Sequence, residues 1–264
     1  MDAEGRRHPV ALNARIVSLV PSITELLFSL DLAEQVVGRT TFCIHPAGKV
    51  DGVRRIGGTK TVNFERLAAL HPTHVIVNID ENRKEDVAAL EALGAQVVVT
   101  HPKAPQDNLA LYRLLGGIFG RGTQAQALGR AFRRELAATR TFKAGRVTRT
   151  VLYLIWRKPW MTVARDTYIS RTLALAGWMT TPAHTTTRYP EISTDDPCWR
   201  QADAVLLSSE PYPFKDKHIE AIQALAGPRT AVRLIDGEMT SWYGSRAIRG
   251  LRYLRGFDIS SSAQ

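Results

Sequence analysis

Short apolar runs rich in β-branched residues alternate along this chain with helical patterns, which is typical of a parallel α/β architecture. Residues 16–20 form the first predicted strand. Similar runs predict further strands at residues 36–38, 75–77, 97–100, 151–155, 204–207 and 232–235. Helical periodicity predicts helices ending near residue 70 and covering residues 87–93, 170–176, 218–225 and 246–254.

The first helix has a recognisable start signal in the sequence. Ser22 and Glu25 have the S-x-x-E spacing of a capping box, which predicts a helix over Leu26, Leu27 and Leu30. Gly94 follows the helical pattern of residues 87–93 and is expected to end that helix.

The longest helical pattern covers residues 123–142, with Leu128, Ala131, Phe132 and Leu136 on one apolar stripe and many arginines on its polar face. The two halves of the chain on either side of it resemble each other. We therefore predict an α/β fold of two Rossmann-like lobes with parallel sheets, joined by this one long α-helix. The predicted boundaries are an N-terminal extension 1–14, a lobe 15–121, the connecting helix 122–145 and a second lobe 146–264.

Composition places the chain among globular proteins. It has 264 residues, 44% hydrophobic and 23% charged, and it contains no apolar run near the ~18 residues of a membrane span. The charged start has no apolar segment after it, so it is not a signal peptide as written. The sequence as written predicts a cytoplasmic protein, or a periplasmic one if the start is truncated or misassigned.

Cys43 and Cys198 fall in different predicted lobes, so we expect two buried thiols and no disulfide.

The net charge of +10 is unevenly distributed. Residues 122–264 hold 21 Lys/Arg against 12 Asp/Glu, and four arginines recur every third residue from Arg246 to Arg255. Such a pattern could attract nucleic acid, acidic lipid or an acidic partner. A solvated helix face is the simpler interpretation, and no nucleic-acid-binding motif accompanies the charge.

Candidate chemistry lies in the loops after the strands, because ligands collect at the carboxyl ends of parallel strands. These loops in the second half are rich in aromatic residues, which stack well on conjugated rings. They contain Trp156, Trp160, Tyr189, Tyr212, Phe214, Trp242 and Tyr243. Any single one of these side chains could instead fold onto the core, but the group as a whole favours a binding face.

Catalytic motifs are absent from the sequence. There is no G-x-S-x-G, Walker loop, H-E-x-x-H or G-x-G-x-x-G. The histidines lack metal-ligand spacing, so we predict no metal site and keep only His45 as a weak candidate ligand.

Two segments carry a family resemblance. Residues 17–26 (VSLVPSITEL), then residues 63–72 (NFERLAALHP) with the strand at 75–77, resemble the helical-backbone metal-receptor group. That group comprises the class III substrate-binding proteins of cobalamin and ferric-siderophore ABC importers. The resemblance covers about residues 15–255 and is nearer to the cobalamin-binding branch. It implies a ligand cleft between the two lobes.

The resemblance also implies roles for individual residues. Glu65 and Asp195 match the acidic residues with which family members dock on the arginines of a permease dimer. Each lies ten residues before a predicted strand residue, Val75 and Val205 respectively. Helix-start acids stabilised by the helix dipole would show the same pattern. The positions that match the ligand cleft are Pro21, Ser22, His45, Trp160, Tyr189, Trp242, Tyr243 and Arg246.

The sequence thus predicts a monomeric binding protein, not an enzyme, for a corrinoid such as cobalamin or a related metal chelate. It would deliver this ligand to an ABC importer or hold it in the cytoplasm, and it requires no cofactor. The alternatives are a ferric-siderophore or haem binder, and an enzyme acting on a tetrapyrrole or metal chelate. Nucleic acid is not an expected partner.

Overall fold

A computed structural model describes residues 1–259 and divides the chain into two compact units, here called the first and second lobes. The first lobe comprises Met1–Pro102, Gln106–Phe132 and Tyr243–Arg246. The second comprises Lys103–Pro105, Arg133–Trp242 and residues 247–259. Each lobe is therefore discontinuous in sequence.

The first lobe is built on five parallel strands in the order β3-β2-β1-β4-β5. The strands are β1 (Ile16–Ser18), β2 (Val36–Arg39), β3 (Arg54–Arg55), β4 (His74–Asn78) and β5 (Gln96–Thr100). The helices are α1 (Pro21–Ser29), α2 (Phe64–Ala68), α3 (Asp86–Ala92) and α4 (Asn108–Ile118). The central strands β1 and β4 are wholly buried, which explains their continuous apolar runs.

The predicted capping box is wrong. Helix α1 begins at Pro21, with Val20 as an N-cap that offers no side-chain hydrogen bond. Ser22 lies inside the first turn and is buried. Proline suits this first position because its missing N–H would have no partner inside the helix. Glu25 instead accepts hydrogen bonds from Arg246.

Glycine ends helix α3 as predicted. Gly94 has φ +80°, and its N–H donates to the Glu91 carbonyl at 2.9 Å. This left-handed conformation closes the helix and sends the chain into β5.

The second lobe contains four parallel strands in the order β11-β10-β6-β8 and a short antiparallel β7-β9 ribbon. One helix, α5 (Gly122–Ala144), begins in the first lobe and ends in the second. The strands are β6 (Arg149–Leu154), β7 (Trp160–Met161), β8 (Trp178–Thr180), β9 (Glu191–Ile192), β10 (Ala204–Ser208) and β11 (Ala231–Ile235). The other helices are α6 (Tyr168–Leu175), α7 (Cys198–Gln201), α8 (Ile219–Ala226), α9 (Gly237–Ser241) and α10 (Arg246–Gly256).

Alternate residues of the second sheet enter two different cores. Val151 and Tyr153 pack with Leu254 of α10 on one face. Leu152 and Leu154 pack with Trp199 of α7 and with α8 on the other. Helices α10 and α7 therefore cover opposite faces of this sheet. The α/β fold with parallel sheets is confirmed.

Two details of the helical pattern differ from the prediction. On α5, Phe132 and Leu136 are buried as predicted, but Leu128 and Ala131 are only partly covered. The buried stripe also includes a carboxylate, Glu135, because two arginines of α10 pair with it. The α10 arginines are likewise not one solvated face, since Arg246 is buried.

Both cysteines are buried free thiols, one in each lobe, as predicted. Within residues 1–259, no helix combines the length and apolar character needed to cross a bilayer.

Candidate functional site

Exposed apolar side chains gather where strands end. Nine large apolar side chains are exposed among the described residues, and four of them lie just after strands. Phe42 and Ile44 follow β2, Ile79 follows β4, and Trp156 follows β6. Exposed apolar groups in a loop at the carboxyl edge of a parallel sheet are typical of a ligand surface.

A buried arginine holds the loop that carries Phe42 and Ile44. Arg39, at the end of β2, is almost completely buried and donates to the carbonyls of Val50 (2.9 Å) and Cys43 (3.0 Å). Burial lowers the pKa of this guanidinium, although arginine stays charged at any physiological pH. Because the backbone loop satisfies the charge, the loop is fixed while its apolar side chains remain outside.

Asparagine side chains order the neighbouring loop after β4. Asn82 Nδ2 donates to the carbonyls of Leu19 (3.2 Å) and Thr59 (2.9 Å). Its Oδ1 accepts from the N–H of Asn78 at 2.8 Å. Three loops at the carboxyl edge of the first sheet are thereby tied together around Asn82.

Carboxylates also lie at this edge. The Asp80 carboxylate is 3.4 Å from the Nε2 of His101, which follows β5. The carboxylate of Glu81 accepts a hydrogen bond from the Tyr243 hydroxyl at 2.5 Å. Burial raises the pKa of Tyr243 well above its ordinary value, so this phenol is a donor at all physiological pH values.

Tyr243 belongs to a four-residue segment, Tyr243–Arg246, which we call the return segment. Gly244 anchors it: its N–H donates to Asn108 Oδ1 at 2.6 Å, and its carbonyl accepts from the Tyr112 hydroxyl at 2.8 Å. Gly244 has φ +79°, and a Cβ there would lie 3.2 Å from the Ser22 carbonyl oxygen. Both the backbone angle and the close approach therefore favour glycine.

The second lobe presents an aromatic cluster at its carboxyl edge. Trp156 is 40% exposed and packs edge-to-face on Tyr212, with ring centroids 5.7 Å apart. Trp160 stacks parallel to Phe214 (6.4 Å, 5°) and meets Trp199 edge-on (5.4 Å). Trp156 is thus the outward member, whereas the contacts of Trp160 with Phe214 and Trp199 brace it on the core.

Next to this cluster lies a groove of about 490 Å³. It is lined by Ser209, Glu210, Phe214, Leu234, Ile235, Asp236 and Glu238. Burial raises the pKa of Glu210, whose Oε1 accepts hydrogen bonds from Ser241 Oγ (2.7 Å) and Trp242 Nε1 (2.6 Å). The groove therefore combines apolar walls with carboxyl groups that can accept hydrogen bonds from a ligand.

The structure brings some predicted cleft residues together and separates others. Trp156 and Trp160 belong to the aromatic cluster of the second lobe. Trp242 is buried, and its Nε1 donates a hydrogen bond to Glu210. Tyr189 is half-buried against the other core of that lobe. Its ligand contact, like that of the other cleft positions, stays a prediction.

In the first lobe, Pro21 and Ser22 occupy the first turn of α1, and half-buried His45 lies in the loop after β2. Tyr243 and Arg246 are buried, and their polar atoms pair with Glu81 and Glu25 of the same lobe. No group of three His, Cys, Asp or Glu residues within residues 1–259 is placed to hold a metal ion.

The two candidate docking acids are both exposed and both lie near the start of a short helix. Glu65 is in the first turn of α2, where the Asn63 side chain accepts from the N–H of Arg66. Asp195 lies in the loop before α7.

Sequence analysis missed Phe42, Ile44 and Ile79 as candidate site residues. It weighted the aromatic residues of the second half, and in the first half it kept only Pro21, Ser22 and His45 as cleft positions. The signal was present in the sequence: each residue follows a predicted strand within six positions, at a place where polar turn residues are the rule.

Known proteins resemble this chain over most of its length. The family model described as "Periplasmic binding protein" matches residues 16–233. The vitamin B12-binding protein of Vibrio cholerae is 23% identical over 194 residues, covering 74% of this chain and 70% of that protein. That of Pectobacterium carotovorum is 23% identical over 227 residues, covering 85% and 80%.

Among solved structures, a periplasmic heme-binding protein from Pseudomonas aeruginosa superposes with a TM-score of 0.82 at 21% identity, covering 95% of this chain and 94% of that one. At this level of identity the likeness shows a shared fold.

Proposed function

Since this chain belongs to the periplasmic binding protein family, we propose that it is the substrate-binding protein for a corrinoid, which it delivers to an ABC importer. The observation that carries the proposal is the set of exposed apolar side chains at the carboxyl edges of the sheets: Phe42, Ile44, Ile79 and Trp156. On either lobe, a flat ring ligand would cover such side chains and release the water against them. The relatives named vitamin B12-binding protein support the same ligand class.

A haem ligand is the second candidate, favoured by the shared fold with heme-binding proteins. The carboxyl groups at the carboxyl edges favour a corrinoid instead. Asp80 and Glu81 in the first lobe, and Glu210, Asp236 and Glu238 in the second, lie at these edges. Haem carries carboxylates that would be repelled there, whereas the primary amides of a corrinoid can donate hydrogen bonds to carboxylate oxygens.

Permease docking through Glu65 and Asp195 is part of the proposal. Both carboxylates are exposed, and each lies near the start of a short helix. A pair of exposed acids on separate lobes suits the arginines of a two-fold permease. The proposal also implies action in the periplasm, which the descriptions of the family and of the solved heme-binding protein support. Fractionation of cells that express the complete gene product tests this location.

Calorimetric titration tests the ligand directly. Cyanocobalamin, cobinamide, haemin and a ferric siderophore are titrated into the purified protein, and each ligand is recovered and compared with its starting absorption spectrum. We expect saturable one-to-one binding of a corrinoid, weaker binding of haemin and an unchanged recovered ligand. Tighter binding of haemin or the siderophore would transfer the role to that ligand. A chemically altered ligand would favour the enzyme alternative.

A further inference from the structure

Helix α10 and the second half of α5 form an arginine-rich surface on the second lobe. Arg252 Nη2 lies 2.8 Å and Arg134 Nε 3.8 Å from the same oxygen, Oε1 of Glu135. Both arginines are largely exposed, with 62% and 73% of their side chains accessible. Arg249 is exposed one turn before Arg252, so these three guanidinium groups are neighbours.

Positive charge dominates this surface. Arg255 also pairs with Glu135, at 2.6 Å, so one carboxylate serves several guanidinium groups. Helix α10 itself contains no acidic residue. Arg249 makes no ion pair with any described residue and remains available for an external anion.

An apolar groove of about 430 Å³ lies beside Arg249 and Arg252, which form part of its wall. Its lining residues are Met239, Arg249, Arg252, Tyr253, Gly256 and Phe257. Tyr253 and Phe257 pack together at 5.5 Å. A Cβ at Gly250 would lie 2.2 Å from the Met239 carbonyl oxygen, so this glycine allows α10 to lie directly against α9.

We propose that this arginine-rimmed groove docks the second lobe on a bilayer that contains anionic phospholipid. The guanidinium groups match lipid phosphates, which they can bind with two parallel hydrogen bonds. The apolar lining matches the glycerol and first methylene groups beneath the phosphate. The same lining would contribute nothing to binding the backbone of a nucleic acid, which needs phosphate contacts alone. Combined charge and apolar surface is typical of interfacial membrane binding.

Vesicle co-sedimentation of the full chain tests the inference. We expect the protein to sediment with vesicles of phosphatidylcholine and phosphatidylglycerol, but not with vesicles of phosphatidylcholine alone. Binding should weaken between about 0.1 M and about 1 M salt, because the Debye length falls from roughly 10 Å to roughly 3 Å. Arg249→Ala should weaken partitioning about fivefold, the loss expected for one basic residue near an anionic surface.

Two further variants separate lipid from other partners. Phe257→Ala should weaken vesicle binding while leaving binding to heparin unchanged. Arg200→Ala is the matched control: it removes an exposed arginine of α7, on the opposite face of the sheet from α10, and should bind like the parent protein. The melting temperature and circular dichroism of each variant show that its fold is intact, whether or not the protein binds a corrinoid.

Equal sedimentation with both kinds of vesicle would overturn the inference. So would an Arg249→Ala variant that binds like the Arg200→Ala control. Heparin binding as tight as vesicle binding, with no effect of Phe257→Ala on either, would assign the surface to polyanions in general and reject a lipid site.

Discussion

Arg246 binds both carboxylate oxygens of Glu25 through two separate nitrogens, with Nε–Oε2 at 2.7 Å and Nη2–Oε1 at 2.9 Å. The Arg246 side chain is 3% exposed and that of Glu25 is 12% exposed. The pair fastens the return segment to helix α1, across 221 positions of sequence. Such bidentate geometry is specific for arginine.

Removing one partner of this pair should destabilise the protein strongly. Glu25→Gln removes the carboxylate that forms the bidentate ion pair with the buried Arg246, and breaking a buried pair in this way typically costs about 3 kcal/mol or more. Urea unfolding measures the loss. The double variant Glu25→Gln/Arg246→Met should recover part of it, because it leaves no buried charge. An equally unstable double variant would show that shape, not charge, dominates at this site.

The lowered pKa of Glu135 predicts that the folded protein loses stability in acid. Its hydrogen bonds from Arg252 and Arg255 lower its pKa from an ordinary 4.5 to about 2. The stabilisation is therefore complete above about pH 4.5 and is lost as pH falls toward about 2. It is on the order of 2 kcal/mol, after allowance for solvent around exposed Arg252.

Unfolding midpoints between pH 2 and pH 7 check this expectation. Glu135→Gln should flatten the acid side of the profile, whereas Glu220→Gln, at an exposed carboxylate of α8, should keep it. A Glu135→Gln profile parallel to that of the parent would contradict the assignment.

The raised pKa of Glu210 predicts a contribution to stability that falls as pH rises, opposite to that of Glu135. Burial raises its pKa above the ordinary 4.5, so its ionisation weakens the folded state as pH rises through the higher value. Glu210→Gln should therefore raise the melting temperature at neutral pH, since its amide oxygen still accepts from Ser241 and Trp242. The gain should disappear below about pH 4.5. A variant that is less stable at neutral pH would contradict this account.

The aromatic cluster predicts two distinguishable tryptophan variants. Trp156→Ala should weaken corrinoid binding about tenfold, because an exposed stacked ring contributes about 1–3 kcal/mol, with little change in melting temperature. Trp160→Ala should also weaken binding about tenfold and, in addition, lower the melting temperature, since Trp160 packs on Phe214 and Trp199. Leu93→Ala, as exposed as Trp156 but at the end of α3, serves as control. Unchanged affinity in Trp156→Ala would remove this side chain from the site.

Changing either candidate docking acid, Glu65 or Asp195, should affect transport without affecting ligand binding. Glu65→Arg and Asp195→Arg should leave corrinoid affinity intact and abolish uptake with the cognate permease, because each places a cation before permease arginines. Glu220→Arg makes the same charge change elsewhere and should transport normally. Loss of ligand affinity in Glu65→Arg would show that the docking role is misassigned.

Much of the fold could be predicted from periodicity, because buried parallel strands are continuous apolar runs. Residues 204–207 and 232–235 were predicted as strands and appear as β10 and β11, one residue longer each. Helix α4 was missed because its apolar pattern, residues 109–115, is followed directly by Gly116 and Gly117. Glycine lowers helix propensity, so the segment did not indicate a helix. The strand β8, with the sequence Trp-Met-Thr, was missed because it lacks the run of apolar β-branched residues from which the other strands were predicted.

The candidate site was harder to predict because sequence does not show which polar side chains pair. Ser22 and Glu25 have capping-box spacing, yet Glu25 pairs with a residue near the other end of the chain. In the sequence, Arg39 looks like an ordinary polar residue at the end of a strand. In the structure it is buried beneath the loop after β2, whose carbonyls accept its hydrogen bonds. In both cases a long-range partner overrides a local signal.

The discontinuity of the first lobe determines the order in which it can be completed during synthesis. Its sheet and helices are encoded before residue 132, but the return segment is translated more than a hundred residues later. Until then Asn108, Tyr112 and Glu25 have no Gly244 or Arg246 to bind. A nascent first lobe therefore emerges from the ribosome without the arginine that pairs with Glu25, and it reaches full stability only when nearly the whole chain has been made.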